Sequence, residues 1–396
     1  MDRALADLIR ISNAVGRDSS LVQGGGGNTS VKTDDGKCMY IKASGTALKD
    51  MNAKRGWRQM RLEPVLAIIK DKSLAKLEVH KRETEVVNRL LLACDDKVTG
   101  GARPSVEAHL HAFLDKYVIH LHPSAAGAFA NAKNGKKKLE KLFKNFEFRI
   151  SNFELLTPPL WVPYTNPGFM LAKRIAKLVG DYQKRFGKKP AILFMEKHGL
   201  LISAGSPDTA LRLVRKVIKL CDSKLKHIVA RDERRGTSDD INKAKRCIRK
   251  AFFEATGQKA TISYFYDDEI AAFMRQKDAP KMLSAGVLTP DELVYANGPA
   301  MWVDECEPKK IAKRLTSQIK AEEKHSVAFL VKDVGLFVAG TKKIATTVRD
   351  IAVYSIFIRT NANRMGGILT LTKKERDFIN KWESEAFRMK IASGIP

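Results

Sequence analysis

Residues 104–123, PSVEAHLHAFLDKYVIHLHP, are the stretch from which the rest of the chain is read. Tyr117, Val118 and Ile119 favour extended backbone and lead into His120-Leu121-His122. A strand sends alternate side chains to one face, so both imidazoles project together, and two adjacent nitrogen donors suit a metal. Residues 105–114 read as a helix opened by Pro104, in which Glu107 and His111, four apart, share a face. A carboxylate is thereby set close to an imidazole pair. Catalytic zinc commonly takes three protein ligands and keeps its fourth position open, so the pair calls for a third. The plainer alternative makes His120 and His122 half-buried strand residues satisfied by their neighbours. His109 and His111 fit either reading.

His198 is the best candidate for the third ligand. Residues 191–202, AILFMEKHGLLI, read as two apolar strands about a tight polar turn, Glu196-Lys197-His198-Gly199, and such a turn can aim its histidine inward. Considered without the His-X-His strand, His198 would read as an ordinary surface turn residue.

A chain of 396 residues suits two lobes, since domains usually run to ~100–200 residues. No apolar run approaches the ~20 residues of a membrane span, and no basic-then-apolar signal opens the chain, so a soluble cytoplasmic protein is expected. Cys38, Cys94, Cys221, Cys247 and Cys306 are scattered, with no CxxC pair, and frame neither disulfides nor structural zinc. The formal net charge of +27 attracts phosphate-bearing partners in general. Lys and Arg are spread over the chain as solvated faces, with no aromatic-interleaved basic tract, RNP-like strand or zinc-finger spacing. Nucleic acid is therefore an unlikely main partner, and an anionic small substrate fits the charge equally well.

Taken in order, residues 4–15 carry Leu5, Leu8, Ile9, Ile11 and Val15 at helical spacing. The loop GGGGNTS, residues 24–30, lets backbone amides approach an anion, and Asn28, Thr29 and Ser30 add side-chain donors. It lacks the Gly-Lys-Ser/Thr of a Walker A loop and follows a helix, so it is no dinucleotide fingerprint. Strands over 30–33 and 38–42 lead to a second small, hydroxyl-rich turn, Ala43-Ser44-Gly45-Thr46. Two such turns flanking one hairpin form a phosphate cradle if their backbones converge, with Ser105 able to join, or else are ordinary turn chemistry.

Helices are expected over 62–69, 84–92, 124–133, 171–186 and 207–230, with an apolar strand in residues 160–169 halted by Pro167-Gly168, a basic excursion over 134–144 and a linker at 232–240. Tyr164 fits either a core or a site role. Residues 289–294 read as a capped turn before a strand, and 373–389 as a closing helix docked by Trp382 and Phe387. Residues 327–357 repeat the pattern of 191–221, with VAFLVKDVGLFVAG matching AILFMEKHGLLISAG across a one-residue gap. Val334 stands where the first copy has His198.

These motifs resemble the class II aldolase/adducin family: GGGGNTS with ASGT, PSVEAHLH with HLHP, WVPYTNPGF, and EKHGLLISAG, in that order. The later segments LTPDELVYANGPAMWV, DVGLFVAGT and WESEA are similar to the second part of the aldolase half of bifunctional rhamnulose-phosphate aldolase/dehydrogenases, and no nucleotide loop remains for a dehydrogenase module. The resemblance implies an α/β fold, an α/β/α sandwich around a mainly antiparallel sheet, in a homo-oligomer with sites near subunit interfaces. It implies zinc, or another divalent ion, on His120, His122 and His198, Glu107 as the catalytic carboxylate, and Asn28, Ser44, Gly45 and Ser105 as the phosphate-binding set. The chain then divides into a zinc-dependent aldolase domain, 1–231, and a C-terminal lobe, 241–396, carrying a degenerate repeat without metal ligands. The implied reaction is cleavage of a ketose phosphate such as rhamnulose 1-phosphate to dihydroxyacetone phosphate and an aldehyde. An epimerase or dehydratase of the same family, or an adducin-like binding protein, are the alternatives. The link between Glu107 and His120 is short for the simpler sugar-phosphate aldolases, and the tyrosine acid of some members has no match.

Overall fold

Seven short strands rich in β-branched and aromatic residues collect into one sheet around the HLH segment. In chain order the strands of this part of the molecule are β1 (Asn28–Lys32), β2 (Cys38–Lys42), β3 (Trp57–Arg61), β4 (Tyr117–Leu121), β5 (Arg149–Ser151), β6 (Glu154–Leu155), β7 (Leu160–Val162), β8 (Ile192–Met195) and β9 (Gly199–Ala204). The sheet runs β3-β2-β1-β4-β9-β8-β7, with β5 and β6 paired separately. Every neighbour in it is antiparallel except β7 with β8. The computed structural model describes residues 2–95, 102–144, 149–151, 154–155, 157–227, 236–321 and 323–387.

The chain divides into two compact units, one of Met1–Ala130, Lys136–Lys224 and Asp377–Pro396, the other of Asn131–Gly135 and Leu225–Arg376. In the first, β4 is central and buried throughout. Val118, Val162, Leu193 and Leu201 from four strands pack against Leu171, Ala172, Ile175 and Val179 of the helix Phe169–Phe186. Each Val, Leu or Ile side chain among them contributes ~1.5–3 kcal/mol when fully buried. β4 is therefore fixed from both sides, and the histidines at its end inherit that rigidity.

The second unit holds a sheet of β10 (Ile262–Phe265), β11 (Met301–Val303), β12 (Ala328–Val331) and β13 (Gly335–Ala339), ordered β10-β13-β12-β11. Its pairings are antiparallel, antiparallel and parallel, as in β4-β9-β8-β7. Arg359, wholly buried, donates to the Met282 and Gly286 carbonyls and to Glu292 at 2.9 Å, while Ser355 Oγ donates to the same carboxylate at 2.5 Å. A buried pair with its remaining hydrogen bonds met is costly to break from either end.

Several expected elements shift. The helix expected over 105–114 is one short turn, Ala108–Ala112, because the Ser105 N–H is bonded to the Lys42 carbonyl at 2.9 Å and its Oγ accepts from the Glu107 N–H at 3.3 Å. Those bonds tie 104–105 to β2 instead. The helix expected to reach 230 ends at Asp222, and residues 228–235 lie outside the described residues. Of the expected linker, 236–240 is helix entry: Thr237 and Asp240 form a capping box for Ser238–Thr256. The basic segment is the helix Gly135–Lys144, and 289–294 belongs to the helix Pro290–Ala296, whose Thr289 Oγ accepts from the Glu292 N–H. Helix 124–133 stops at Ala130. Among the described residues no helix is long and apolar enough to cross a membrane.

Candidate metal centre and substrate site

His120 lies in β4 opposite Asn28 of β1 on one side and Leu201 of β9 on the other. His122 follows the strand end, its N–H donating to the Leu21 carbonyl at 3.1 Å. His198 reaches them because the β8–β9 turn is tight: Met195 pairs with Gly199, Lys197 takes φ 53°, and the His198 N–H donates to the Met195 carbonyl at 3.2 Å. Gly199 leaves the rings room, for a Cβ there would lie 2.4 Å from the Leu121 carbonyl and 2.8 Å from His122 Cδ2. Gly27 does the same on the other side, at φ 59°, where a Cβ would lie 2.7 Å from the His120 carbonyl.

The three histidines are buried, their ring centroids 4.9–5.4 Å apart, and each can offer a nitrogen such that all three lie within 4.8 Å of one another. Among the described residues this is the one group of His, Cys, Asp and Glu that could hold a metal ion. The donor set fits a tetrahedral zinc or a similar divalent ion with one position open. His120 Nε2, buried without a hydrogen-bond partner, is the kind of atom that such an ion satisfies.

Glu107 caps the short helix and is buried against the cage. Its Oε2 accepts from Asn28 Nδ2 at 2.8 Å and lies 2.8 Å from His120 Nδ1, while Oε1 is 3.6 Å from His198 Nε2. A hydrogen on His120 Nδ1 directed at this carboxylate leaves the Nε2 lone pair for a metal. Burial works to raise the Glu107 pKa, but the charge and hydrogen bond of His120, then His198 and Asn28, hold it well below the ordinary carboxylate range. The sequence-based expectation of a helix face shared with His111 does not hold, since Glu107 precedes the helix. His109 and His111 are core residues: burial lowers them to about 4 and about 3, and His111 Nδ1 meets Ser30 Oγ at 2.8 Å. His109 stacks on Phe169.

The residues singled out for phosphate are brought together around Lys42, to which no sequence motif points. Its buried Nζ donates to the Gly25 and Gly27 carbonyls at 2.7 and 2.9 Å, which holds the loop leading into Asn28. Ala43 pairs with Pro104, and the Ser44 N–H donates to the Arg103 carbonyl at 2.8 Å, so Ser44, Gly45 and Ser105 share this corner. Gly45 takes φ 79°, where a side chain is strained. Lys197 lies with Nζ 4.1 Å from the Tyr164 ring centre, so Tyr164 packs beside the His198 turn. No motif marked the role of Lys42, because it is defined by carbonyls on the preceding glycine loop.

The family model described as "Class II Aldolase and Adducin N-terminal domain" matches residues 6–225. "Uncharacterized oxidoreductase YuxG" of Bacillus subtilis (strain 168) is 25% identical over an alignment of 436 positions that covers 99% of this chain and 59% of that one, so the chain spans about three-fifths of this relative's length. Among solved structures, the N-terminal class II aldolase domain of a conserved protein from Thermoplasma acidophilum is 27% identical, covers 56% of this chain and 94% of its own, and has a TM-score of 0.44. L-fuculose-1-phosphate aldolase from Thermus thermophilus is 14% identical, with 56% and 94% covered and a TM-score of 0.34. The matched span, more than half of the chain, runs from before the glycine loop to beyond the His198 hairpin, and on that ground the chain belongs to the class II aldolase and adducin family.

Proposed function

We propose that the protein is a zinc-dependent carbon–carbon lyase that cleaves a ketose phosphate such as rhamnulose 1-phosphate to dihydroxyacetone phosphate and an aldehyde. The observation that carries this reading is a buried carboxylate set among three converging imidazoles, 2.8 Å from one and 3.6 Å from another. His120, His122 and His198 would hold the ion, which when bound polarises a ketone and its neighbouring hydroxyl and stabilises the charge left by bond cleavage. Glu107 takes and returns the proton at the substrate, and its bond to His120 also orients that ring. Asn28, Ser44, Gly45 and Ser105 bind the phosphate and so fix the reacting bond against Glu107. Residues 1–231 form the catalytic domain, joined by the returning segment 377–396 of the same compact unit, the lobe beginning at 241 carries a degenerate repeat without a metal, and the protein works as a homo-oligomer in the cytoplasm.

A binding-only, adducin-like role leaves three buried histidines and a carboxylate without a chemical reason. The test is a screen of ketose phosphates with metal-replete protein and detection of aldehyde. Release of aldehyde that a chelator abolishes supports the lyase. A metal-dependent product with its carbon chain intact, epimerised or dehydrated, would sink it.

A further inference from the structure

The phosphate-binding set drawn from the sequence is uncharged: an asparagine, two serines and a glycine. Binding a dianion with neutral donors alone forgoes the charge-assisted hydrogen bonds that roughly double the strength of such contacts. The Lys42 ammonium at this corner is taken up by the Gly25 and Gly27 carbonyls, and a second cation stands beside it. Arg103 accepts the Ser44 N–H at its carbonyl, is two residues from Ser105, and shares with Ser44 and Ser384 the wall of one small, mainly apolar cavity.

Its guanidinium is already engaged by an acid. Nη1 donates to Glu383 Oε1 at 2.8 Å and Oε2 at 3.0 Å, and the guanidinium carbon lies 4.2 Å from the Phe387 ring centre. Both contacts to Glu383 use one nitrogen, so the two-nitrogen fork that matches a phosphate is not engaged by it. The aromatic ring holds the guanidinium plane in place. The two side chains keep 31% and 59% of their exposure, which makes this a surface pair of small net strength that a better anion can displace.

We propose that Arg103 is the cationic member of the phosphate-binding set, and that Glu383 occupies it as an intramolecular stand-in for the phosphate. This rests on the phosphate reading given above and adds its charge-bearing residue and a competitor. Exchange of Glu383 for a phosphate selects phosphorylated over unphosphorylated substrates. It also couples substrate binding to the 382–387 segment, where Trp382 and Phe387 anchor the short helical stretch that carries Glu383.

The experiment is calorimetric titration of inorganic phosphate into the full-length, metal-replete protein and its Arg103→Gln, Arg103→Lys, Glu383→Gln and Ser44→Ala variants, each checked for an unchanged thermal melt. Arg103→Gln is expected to weaken phosphate about tenfold or more, as loss of a hydrogen bond to a charged group does. Arg103→Lys, which keeps the charge and loses the fork, falls between. Glu383→Gln, an exposed change that spares the fold, tightens phosphate about two- to fivefold, the range of a surface ion pair. Unchanged affinity in Arg103→Gln with weakened affinity in Ser44→Ala overturns the role of Arg103 and leaves the phosphate cradle standing. Weaker binding in Glu383→Gln overturns the competition. No binding, or binding indifferent to all four changes, overturns the cradle and this inference together, while aldehyde release from the substrate screen still decides the lyase.

Discussion

Two hairpins in this protein share a backbone plan and differ in what surrounds them. In the first unit β8 and β9 close with Met195 opposite Gly199, and in the second β12 and β13 close with Val331 opposite Gly335. Lys197 and Asp333 take φ 53° and 60°, and the His198 and Val334 N–H groups donate back to Met195 and Val331 at 3.2 and 3.1 Å. The strand alongside sets them apart. Leu121 of β4 pairs with Leu200, one step past the turn glycine, and Phe265 of β10 pairs with Leu336 at the same step. The residues flanking Leu121 are His120 and His122, and those flanking Phe265 are Tyr264 and Tyr266. Tyr264 donates its hydroxyl to the Val334 carbonyl at 3.0 Å, and Val334 packs onto the core of its unit. A turn that can present a ligand is therefore not a metal site. The site needs the neighbouring strand to supply the other imidazoles.

The most severe way to break the comparison is to make the first hairpin resemble the second. His198→Val removes one of three nitrogens, and the expected result is a protein that folds, loses its ion from about one per chain to background, and loses turnover with it. Metal analysis by plasma emission checks this, and full occupancy would remove His198 from the ligand set. Glu107→Gln comes next. Gln keeps an oxygen that can accept from His120 Nδ1, so the ion stays, while removal of an acid–base group lowers turnover ~10²-fold or more. Glu107→Ala also removes the acceptor and should cost ~10–100-fold in metal affinity, as loss of a partner behind a ligand does. Equal metal affinity in both variants would mean that Glu107 does not orient His120. Asn28→Ala and Ser44→Ala follow, each raising KM for a phosphorylated substrate roughly ten- to a hundredfold, by ~1.5–3 kcal/mol per lost charge-assisted bond, with a smaller change for the unphosphorylated analogue. Equal effects on both substrates would make these turns structural.

Much of this arrangement was legible in the chain because it is local. The β-formers Tyr117, Val118 and Ile119 and the apolar runs around Glu196-Lys197-His198-Gly199 give strands and a turn, and the shared face of His120 and His122 follows from the strand. What was not legible depends on distant partners. Glu107 reads as a helix-face residue until Ser105 is seen tied to the Lys42 carbonyl, which delays the helix past it. Lys42 and Arg103 are two of 71 basic residues until the Gly25 and Gly27 carbonyls and Glu383 come round to meet them. The helix Pro290–Ala296 is buried on all sides, since Asp291 and Glu292 lie inside along with Leu293 and Val294, so it shows no amphipathic stripe and reads as turn and strand. Its burial depends on Arg359, 67 residues away in the chain.

The smallest expected effect comes from the reverse exchange, Val334→His, which gives the second hairpin the residue that the first one uses. The backbone there already suits a histidine, with the left-handed residue before it and the same return hydrogen bond. If the turn decided ligation, a second ion per chain would appear. The neighbouring strand predicts otherwise, because Tyr264 faces this turn and its hydroxyl is taken up by the Val334 carbonyl, which leaves one imidazole with no partner nitrogens. Metal content should stay at its original value and turnover should not change, since Glu107 and the three histidines are untouched. The one measurable consequence should be stability. Val334 is half-buried against a core of apolar side chains, so a polar ring there costs on the order of 1 kcal/mol. That lowers the melting temperature by ~2–4 °C in a unit of this size. Uptake of a second ion by Val334→His alone would break the comparison, by showing that the turn suffices. Uptake only when Tyr264→His and Tyr266→His are added would sharpen it, by assigning the difference between the two hairpins to the strand beside them.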